Sequence, residues 1–403
     1  MNDLVVMKFG GSSVATPEKI KNVAERIMQK AKKSRVVVVV SAPGDMTDDL
    51  IERANRLADT PDLREMDLLL ATGEMQSIAL LTIAIKSKGF DAISLTGPQA
   101  GIYADNVHTK AKIKKIKPKK ILEELKKDKI VIVAGFQGIN PNDDITTLGR
   151  GGSDLTAVAL AAALKAKECE IYTDVKGVYT TDPRLITHAK KLELLSYDEM
   201  LELAGVGSQV MMSRSIEVAK KYNVVIHVRS SFSDEKGTLI MKEVPKMENV
   251  VVSGVAFDKN ESKLSITDVP DRPGIAAKIF GVLAKKNINV DMIIQSAASD
   301  KRNDISFTVS KNDLKTTVSL LKNISKKLGG GAVIFDENVA KVSIVGIGMR
   351  SHPGVASKMF KILADNGINI QMISTSEIKI SCVISNKDTV QAVRVLHRGF
   401  GLG

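Results

Sequence analysis

Five consecutive valines, Val36 to Val40, constrain the fold of this chain more than any other stretch. A strand wetted on one face alternates apolar with polar residues. An unbroken β-branched run suits a strand covered by helices on both faces of a parallel sheet. The run stops at Ser41, Ala42, Pro43 and Gly44, a loop signal. Leu4 to Phe9, Asp91 to Leu95, Ile130 to Ala134, Cys169 to Thr173 and Val224 to Val228 read as further strands. Helix-like chain fills most intervals, at Pro17 to Lys33, Asp48 to Ala58, Asp67 to Ser87, Asp154 to Lys165 and Tyr197 to Ala204. Such alternation predicts a layered α/β domain with a mostly parallel sheet.

Ligands of these sheets gather beyond the carboxyl ends of the strands. Small, charged and hydroxyl residues stand there: Lys8 before Gly10, Gly11, Ser12 and Ser13; Ser41 to Thr47; Gly135 to Gly138; and Thr173 with Asp174. The stretch Thr146–Asp154 (TTLGRGGSD) sets three glycines around Arg150 and leads into an apolar run. Glycine admits a ligand close to the backbone, a helix start offers free N–H groups to an anion, and a guanidinium fits a carboxylate or phosphate. An ordinary loop with Ser153 or Asp154 as N-cap fits the same letters.

The formal charge of +12 invites a nucleic-acid reading. Much of the excess lies in Lys30 to Arg35 and Lys110 to Lys129, with no interleaved aromatic residue, and the chain has no tryptophan for stacking. A solvated helix face accounts for the lysines, and no nucleic-acid partner is expected. Met1 to Phe9 lacks the pattern of a signal peptide, and no run approaches the roughly 18 apolar residues of a membrane span. Two unpaired cysteines, Cys169 and Cys382, point to a reducing cytoplasm and read as small buried hydrophobes, with no metal site.

Near Gly237 the pattern changes, and Thr238 to Glu248 reads as an exit from the first domain. Beyond it the chain repeats itself: Pro273–Phe280 (PGIAAKIF) matches Pro353–Phe360 (PGVASKMF), and Ile288–Ile293 (INVDMI) matches Ile368–Ile373 (INIQMI), at one constant offset. A duplicated module explains this, each copy reading as loop, helix (Gly274 to Lys286; Gly354 to Asn366), then strand. Met292 and Met372 read as core residues.

Taken together, Lys8–Val14 (KFGGSSV), Thr146–Asp154, Thr173–Arg184 (TDVKGVYTTDPR), Ser196–Leu203 (SYDEMLEL) and the two repeats resemble the monofunctional aspartokinases over essentially the whole chain. The resemblance implies an amino-acid-kinase three-layer αβα sandwich with a mostly parallel sheet at residues 1–240, followed by a tandem α+β ACT pair. The first ACT module would span 262–336, and the second 249–260 with 338–403, so that Val250 to Phe257 pairs with the second copy. The implied reaction moves the γ-phosphoryl group of ATP, with Mg2+, to the β-carboxylate of L-aspartate. The product, 4-phospho-L-aspartate, leads to lysine, threonine and methionine. Feedback by lysine, with or without threonine, and a homo-oligomer formed through the ACT modules are implied as well. No Walker-type glycine loop is present.

Carried onto this sequence, the resemblance makes Lys8 and Asp154 catalytic. Thr47, Glu74, Arg150, Gly151, Gly152 and Ser153 would hold aspartate: Arg150 its α-carboxylate, Glu74 its amino group. Lys8, Phe9, Gly10, Gly11, Ser12, Ser41, Thr173, Asp174, Tyr179, Asp182 and Arg184 would hold the nucleotide. Asp271, Gly274, Ile275, Ala276, Asp291, Gln295, Asn369, Ile370, Ser374, Thr375, Ser376 and Glu377 would surround effectors. Three positions depart from the usual pattern: Gln209 replaces a lysine that contacts nucleotide, Lys176 an aspartate, and Gly44–Thr47 reads GDMT. An aspartate carboxylate is ionised at neutral pH, so its phosphorylation needs positioning and charge neutralisation rather than a general base. Rival readings are an amino-acid kinase acting on glutamate or a carbamate, and a sensor without catalysis; the intact Lys8, Arg150 and Asp154 argue against the second. Dimer against tetramer, and an internal start at Met247, stay open.

Overall fold

In the computed structural model residues 3–205, 211–242, 251–296 and 301–403 are described; Gln209 and Met247 lie outside them. Residues 3–179, 191–204 and 211–242 form one compact unit, and 180–190 with 251–403 the other.

The first unit is built on an eight-stranded sheet. Strands β1 (Leu4–Phe9), β2 (Arg35–Val40), β3 (Ala92–Leu95), β4 (Ile130–Ala134), β5 (Glu168–Thr173), β6 (Leu194–Ser196), β7 (Ile226–Ser230) and β8 (Thr238–Met241) lie in the order β6-β8-β7-β5-β1-β2-β4-β3. Every neighbouring pair is parallel except β7 with β8. The valine run is β2, wholly buried between β1 and β4. Val36, Val38 and Val40 share a core with Ile20 and Ile27 of α1 (Pro17–Ala31) and Ile78 and Leu81 of α3 (Leu63–Lys86). On the opposite face α4 (Gly152–Leu164) packs on β1 and β2, and α5 (Ser213–Tyr222) packs on α4. The layers are therefore helix, sheet, helix.

Local chemistry sets the helix starts. Thr16 caps α1, accepting from Lys19 N at 3.4 Å, with Pro17 in the first turn. Asp62 caps α3 by accepting from the backbone N–H groups of Arg64 and Glu65. Among the described residues α3 alone is long and apolar enough to cross a membrane, yet half of its apolar window is buried in the unit, as in a core helix.

Two expectations change. The lysine-rich stretch is not one helix: Ile113–Ile116 is an edge strand, Pro118 follows, and only Lys119–Leu125 is helical. Ile113 and Ile116 are half-buried against Ile102–Ala104 while Lys114 and Lys115 face solvent. These strands with Gln137–Ile139 and Ile145–Thr147 form a second, four-stranded sheet of very short strands. Thr238 does not leave the first domain either, since Thr238–Met241 adds β8 to the main sheet.

The second unit carries a six-stranded antiparallel sheet. Its strands are β9 (Gly254–Pro270), β10 (Ile293–Gln295), β11 (Arg302–Ser310), β12 (Val333–Val345), β13 (Ile370–Thr375) and β14 (Lys379–Ser385), in the order β10-β11-β9-β12-β14-β13. The repeats give α6 (Ile275–Ala284) and α7 (Val355–Asp365), each entered through a glycine of positive φ, Gly274 at 92° and Gly354 at 93°. The same backbone conformation at equivalent points is what a duplication leaves behind. Gly254–Phe257 pairs with Val342–Val345 of the second copy, and Glu261–Ile266 with Ile305–Ser310 of the first. Met292 and Met372 meet in one buried cluster.

Candidate active site

The parallel strands β1, β2, β4 and β5 deliver Phe9, Val40, Ala134 and Thr173 to one edge of the sheet. Backbone bonds stitch the loops beyond them. Ser41 N donates to Phe9 O (3.1 Å), Gly10 N to Tyr172 O (3.2 Å), Gly44 N to Gly11 O (3.0 Å) and Gly135 N to Val40 O (3.0 Å). Close approach explains the glycines. A Cβ on Gly11 would stand 2.7 Å from Ala42 O, and one on Gly135 would stand 2.6 Å from Ser153 Oγ.

Lys8, one residue before the end of β1, points across this edge to the first turn of α4. Its Nζ lies 2.6 Å from Asp154 Oδ1, with both side chains about nine-tenths buried. The ammonium therefore sits beside the Gly10–Gly11 backbone; a Cβ on Gly10 would be 3.6 Å from it. Gly151 enters α4 at φ +70°, and Gly152 packs against Leu148 and Phe136 too closely for a side chain. No side chain caps α4; at its head Gly152 N donates to Gly149 O (2.9 Å) and Asp154 N to Gly151 O (3.1 Å). Asp154, given two readings in the sequence, is an ion-pair partner here and not an N-cap.

Glu74 lies on the buried face of α3. Its Oε1 accepts from Ala42 N at 3.1 Å, and its Oε2 is buried without a hydrogen-bond partner among the described residues. Burial pushes this carboxyl up to about 8, against the backbone N–H groups of Glu74 and Ala42, which pull it down. A neutral acid here would ionise on meeting a cation. Arg150 differs in kind: its side chain is 96% exposed, and among the described residues it pairs with Asp48 at 3.5 Å. Asp48 follows Thr47 in the first turn of α2 (Met46–Leu57), so the Arg150 contact falls one residue beyond Thr47.

The nucleotide residues divide. Thr173 Oγ1 donates to Asp174 Oδ1 at 3.0 Å at the end of β5, and Ser41 and Ser12 reach the surface. The Phe9 ring is fully buried and stacked on Tyr172 at 4.6 Å, so only its backbone can face a ligand. Tyr179 is half-buried and bridges to Lys191 within the first unit. Asp182 and Arg184 fold with the second unit, where they pair with each other at 2.8 Å. Ser13 meets Ser231 at 2.6 Å; Ser231 was not singled out in the sequence, and only the fold reveals their meeting.

In the second unit Asp271 accepts from Asn303 Nδ2 at 3.2 Å, and Gly274, Ile275 and Ala276 start α6. Asp291 pairs with Lys341, a buried lysine also 2.9 Å from Glu261. Gln295 ends β10, Asn369 and Ile370 lead into β13, and Ser374 and Thr375 end it, with Ser376 and Glu377 beyond. Lys341 and Glu261 escaped the sequence reading because both sit within strands.

Residues 3–230 match the amino acid kinase family, and 267–323 with 342–400 match the ACT domain. An aspartate kinase of Pseudomonas putida is 51% identical over 99% of this chain and 98% of its own length. The crystal structure of E. coli aspartokinase III in complex with aspartate and ADP (R-state) is 26% identical, covering 98% of this chain and 99% of that one, at a TM-score of 0.84. The T-state structure of that enzyme in complex with lysine and aspartate has a TM-score of 0.76 over 98% of this chain and 99% of that one, also at 26% identity. The chain belongs to the amino acid kinase family and, within it, to the aspartokinases.

Proposed function

We propose that this phosphotransferase moves the γ-phosphoryl group of ATP to the β-carboxylate of L-aspartate, giving 4-phospho-L-aspartate for lysine, threonine and methionine synthesis in the cytoplasm. The observation that carries the reading is the buried Lys8–Asp154 pair at the head of α4, beside the Gly10–Gly11 backbone. Lys8 draws charge from the moving phosphoryl group, the Gly10–Gly11 backbone lets its oxygens approach closely, and Asp154 fixes the ammonium. Glu74, ionised by the substrate amino group, and Arg150, on its α-carboxylate, leave the β-carboxylate as the free nucleophile. Thr47, Gly151, Gly152 and Ser153 complete the aspartate side. Ser12, Ser41, Thr173, Asp174 and Tyr179 take the nucleotide side.

Magnesium screens the phosphate charges when bound. The strand edge fits an ion held mostly by phosphate oxygens and water, because its carboxylates are few and Asp154 is already paired. The cluster of Glu168, Glu170 and His227 does not fit one, since Lys30 and Arg229 already neutralise its carboxylates.

The kinase domain of this reading is residues 1–240, with ACT modules at 262–336 and at 249–260 with 338–403. Lysine, with or without threonine, acts through Asp271, Asp291, Gln295, Asn369 and Ser374 to Glu377, and the ACT modules pair chains. The complexes of E. coli aspartokinase III named above support these substrates and a lysine effector. A coupled ADP-release assay with aspartate, glutamate and carbamate as acceptors, titrated with lysine, threonine and both, tests this. Turnover with glutamate or carbamate but not aspartate would sink it.

A further inference from the structure

We propose that Asp67 is a positioning residue for the aspartate clamp, acting through Thr147 on the loop that carries Arg150; this rests on the role given to Arg150 above. Asp67 is fully buried on α3. Its Oδ2 meets His108 Nδ1 at 2.7 Å, and Thr109 N donates to both oxygens at 3.0 and 3.1 Å. The Thr147 hydroxyl donates to Oδ1. An ionised carboxylate only accepts, so His108 Nδ1 carries a proton here. Thr109 sits at φ +63°, a region costly for a β-branched residue and held only where its surroundings over-determine it. Asp67 supplies that restraint.

The clamp passes directly to the site loop. Ala111 N donates to Thr147 O at 2.9 Å, and Arg214 bridges Leu148 O (2.9 Å) and Ala111 O (3.0 Å). Gly149 and Gly151 follow at φ +81° and +70°, flanking Arg150. Since the Arg150 side chain is nearly all in solvent, its place is set by this backbone and not by packing. Whatever fixes Thr147 and Leu148 therefore fixes how well the guanidinium is organised to receive a carboxylate.

The test is steady-state kinetics on the full chain. Asp67→Asn keeps the shape, but its amide NH2 faces a donor in either orientation. Loss of a charged acceptor predicts an aspartate KM raised roughly ten-fold, with kcat and ATP KM changed less than about two-fold. In an Arg150→Ala background the same substitution should add almost nothing, because both act through one contact. Thr147→Val removes a single link and should repeat the effect more weakly, which covers the case where Asp67→Asn does not fold. Equal falls in kcat and affinity for both substrates, or full additivity with Arg150→Ala, would make Asp67 merely structural. If Arg150→Ala itself leaves aspartate KM unchanged, the role of Arg150 fails first and separately.

Discussion

Glu74→Gln is the substitution with the most calculable consequence. A carboxyl normally near 4.5 is held up to about 8 by burial. Below pH 4.5 it is neutral folded or unfolded, and its titration contributes nothing. Between pH 4.5 and about 8 only the unfolded chain ionises, so the unfolded state binds fewer protons and folding stability falls as pH rises. At pH 7 the interval above 4.5 is about 2.5 units, which at about 1.36 kcal/mol each is about 3 kcal/mol of stability forgone. The side chain is only 3% exposed, so little of this is screened by solvent.

Gln copies the neutral acid, accepting from Ala42 N and leaving a second polar atom unpaired, but cannot ionise. Without ligand the variant should melt with wild type at pH 4.5 and roughly 6 to 12 °C above it at pH 7 in the transition of the first unit. Calorimetry across that pH range reads the difference. Saturating aspartate should narrow the gap by stabilising wild type, since its ammonium favours the ionised Glu74. Parallel pH profiles of the two proteins without ligand would refute the reasoning, because a carboxyl that stays ionised in the folded state carries no such cost.

Further outcomes follow from the geometry. Lys8→Met and Asp154→Asn should each lower kcat about 100-fold or more, as removal of transition-state charge stabilisation does, while nucleotide binding by equilibrium titration survives. Gly11→Ala drives a methyl group to 2.7 Å from Ala42 O and 2.9 Å from Gly44 O, both backbone atoms that cannot turn away; a lowered Tm with poorer kcat/KM for ATP is expected, and normal kinetics would show that the loop yields. Asp291→Ala and Ser374→Phe should raise the lysine or threonine concentration giving half inhibition, read as inhibited over uninhibited rate, and unchanged curves would remove these residues from the effector site.

Much of this was legible in the sequence. An all-valine strand has few homes, glycine runs at strand ends have few uses, and a constant-offset repeat has one explanation. What stayed hidden depends on distance in space. Lys8 and Asp154 lie in separate motifs, and only the sheet places them 2.6 Å apart. Thr173–Arg184 reads as one nucleotide motif, and the passage from the first unit to the second after Tyr179 falls inside it without any change in composition to mark it. The strands of the second sheet are three or four residues long, too short for alternation to register.

The two buried carboxylates of α3 show how structure separates support from function where sequence cannot. Asp67 and Glu74 are seven residues apart on a helix of 3.6 residues per turn, hence on one face, and both are almost fully buried. Burying a carboxylate is costly unless donors replace its water. Asp67 has three such donor groups, and its cost is offset within the fold. Among the described residues Glu74 has one from the neighbouring loop and leaves an oxygen unpaired, a deficit that folding alone gives no reason to keep. In the proposed function the ammonium of the substrate supplies that partner. One core helix thus carries an acid satisfied by the loop it holds and, in the proposed function, a second acid whose charge the substrate ammonium would balance.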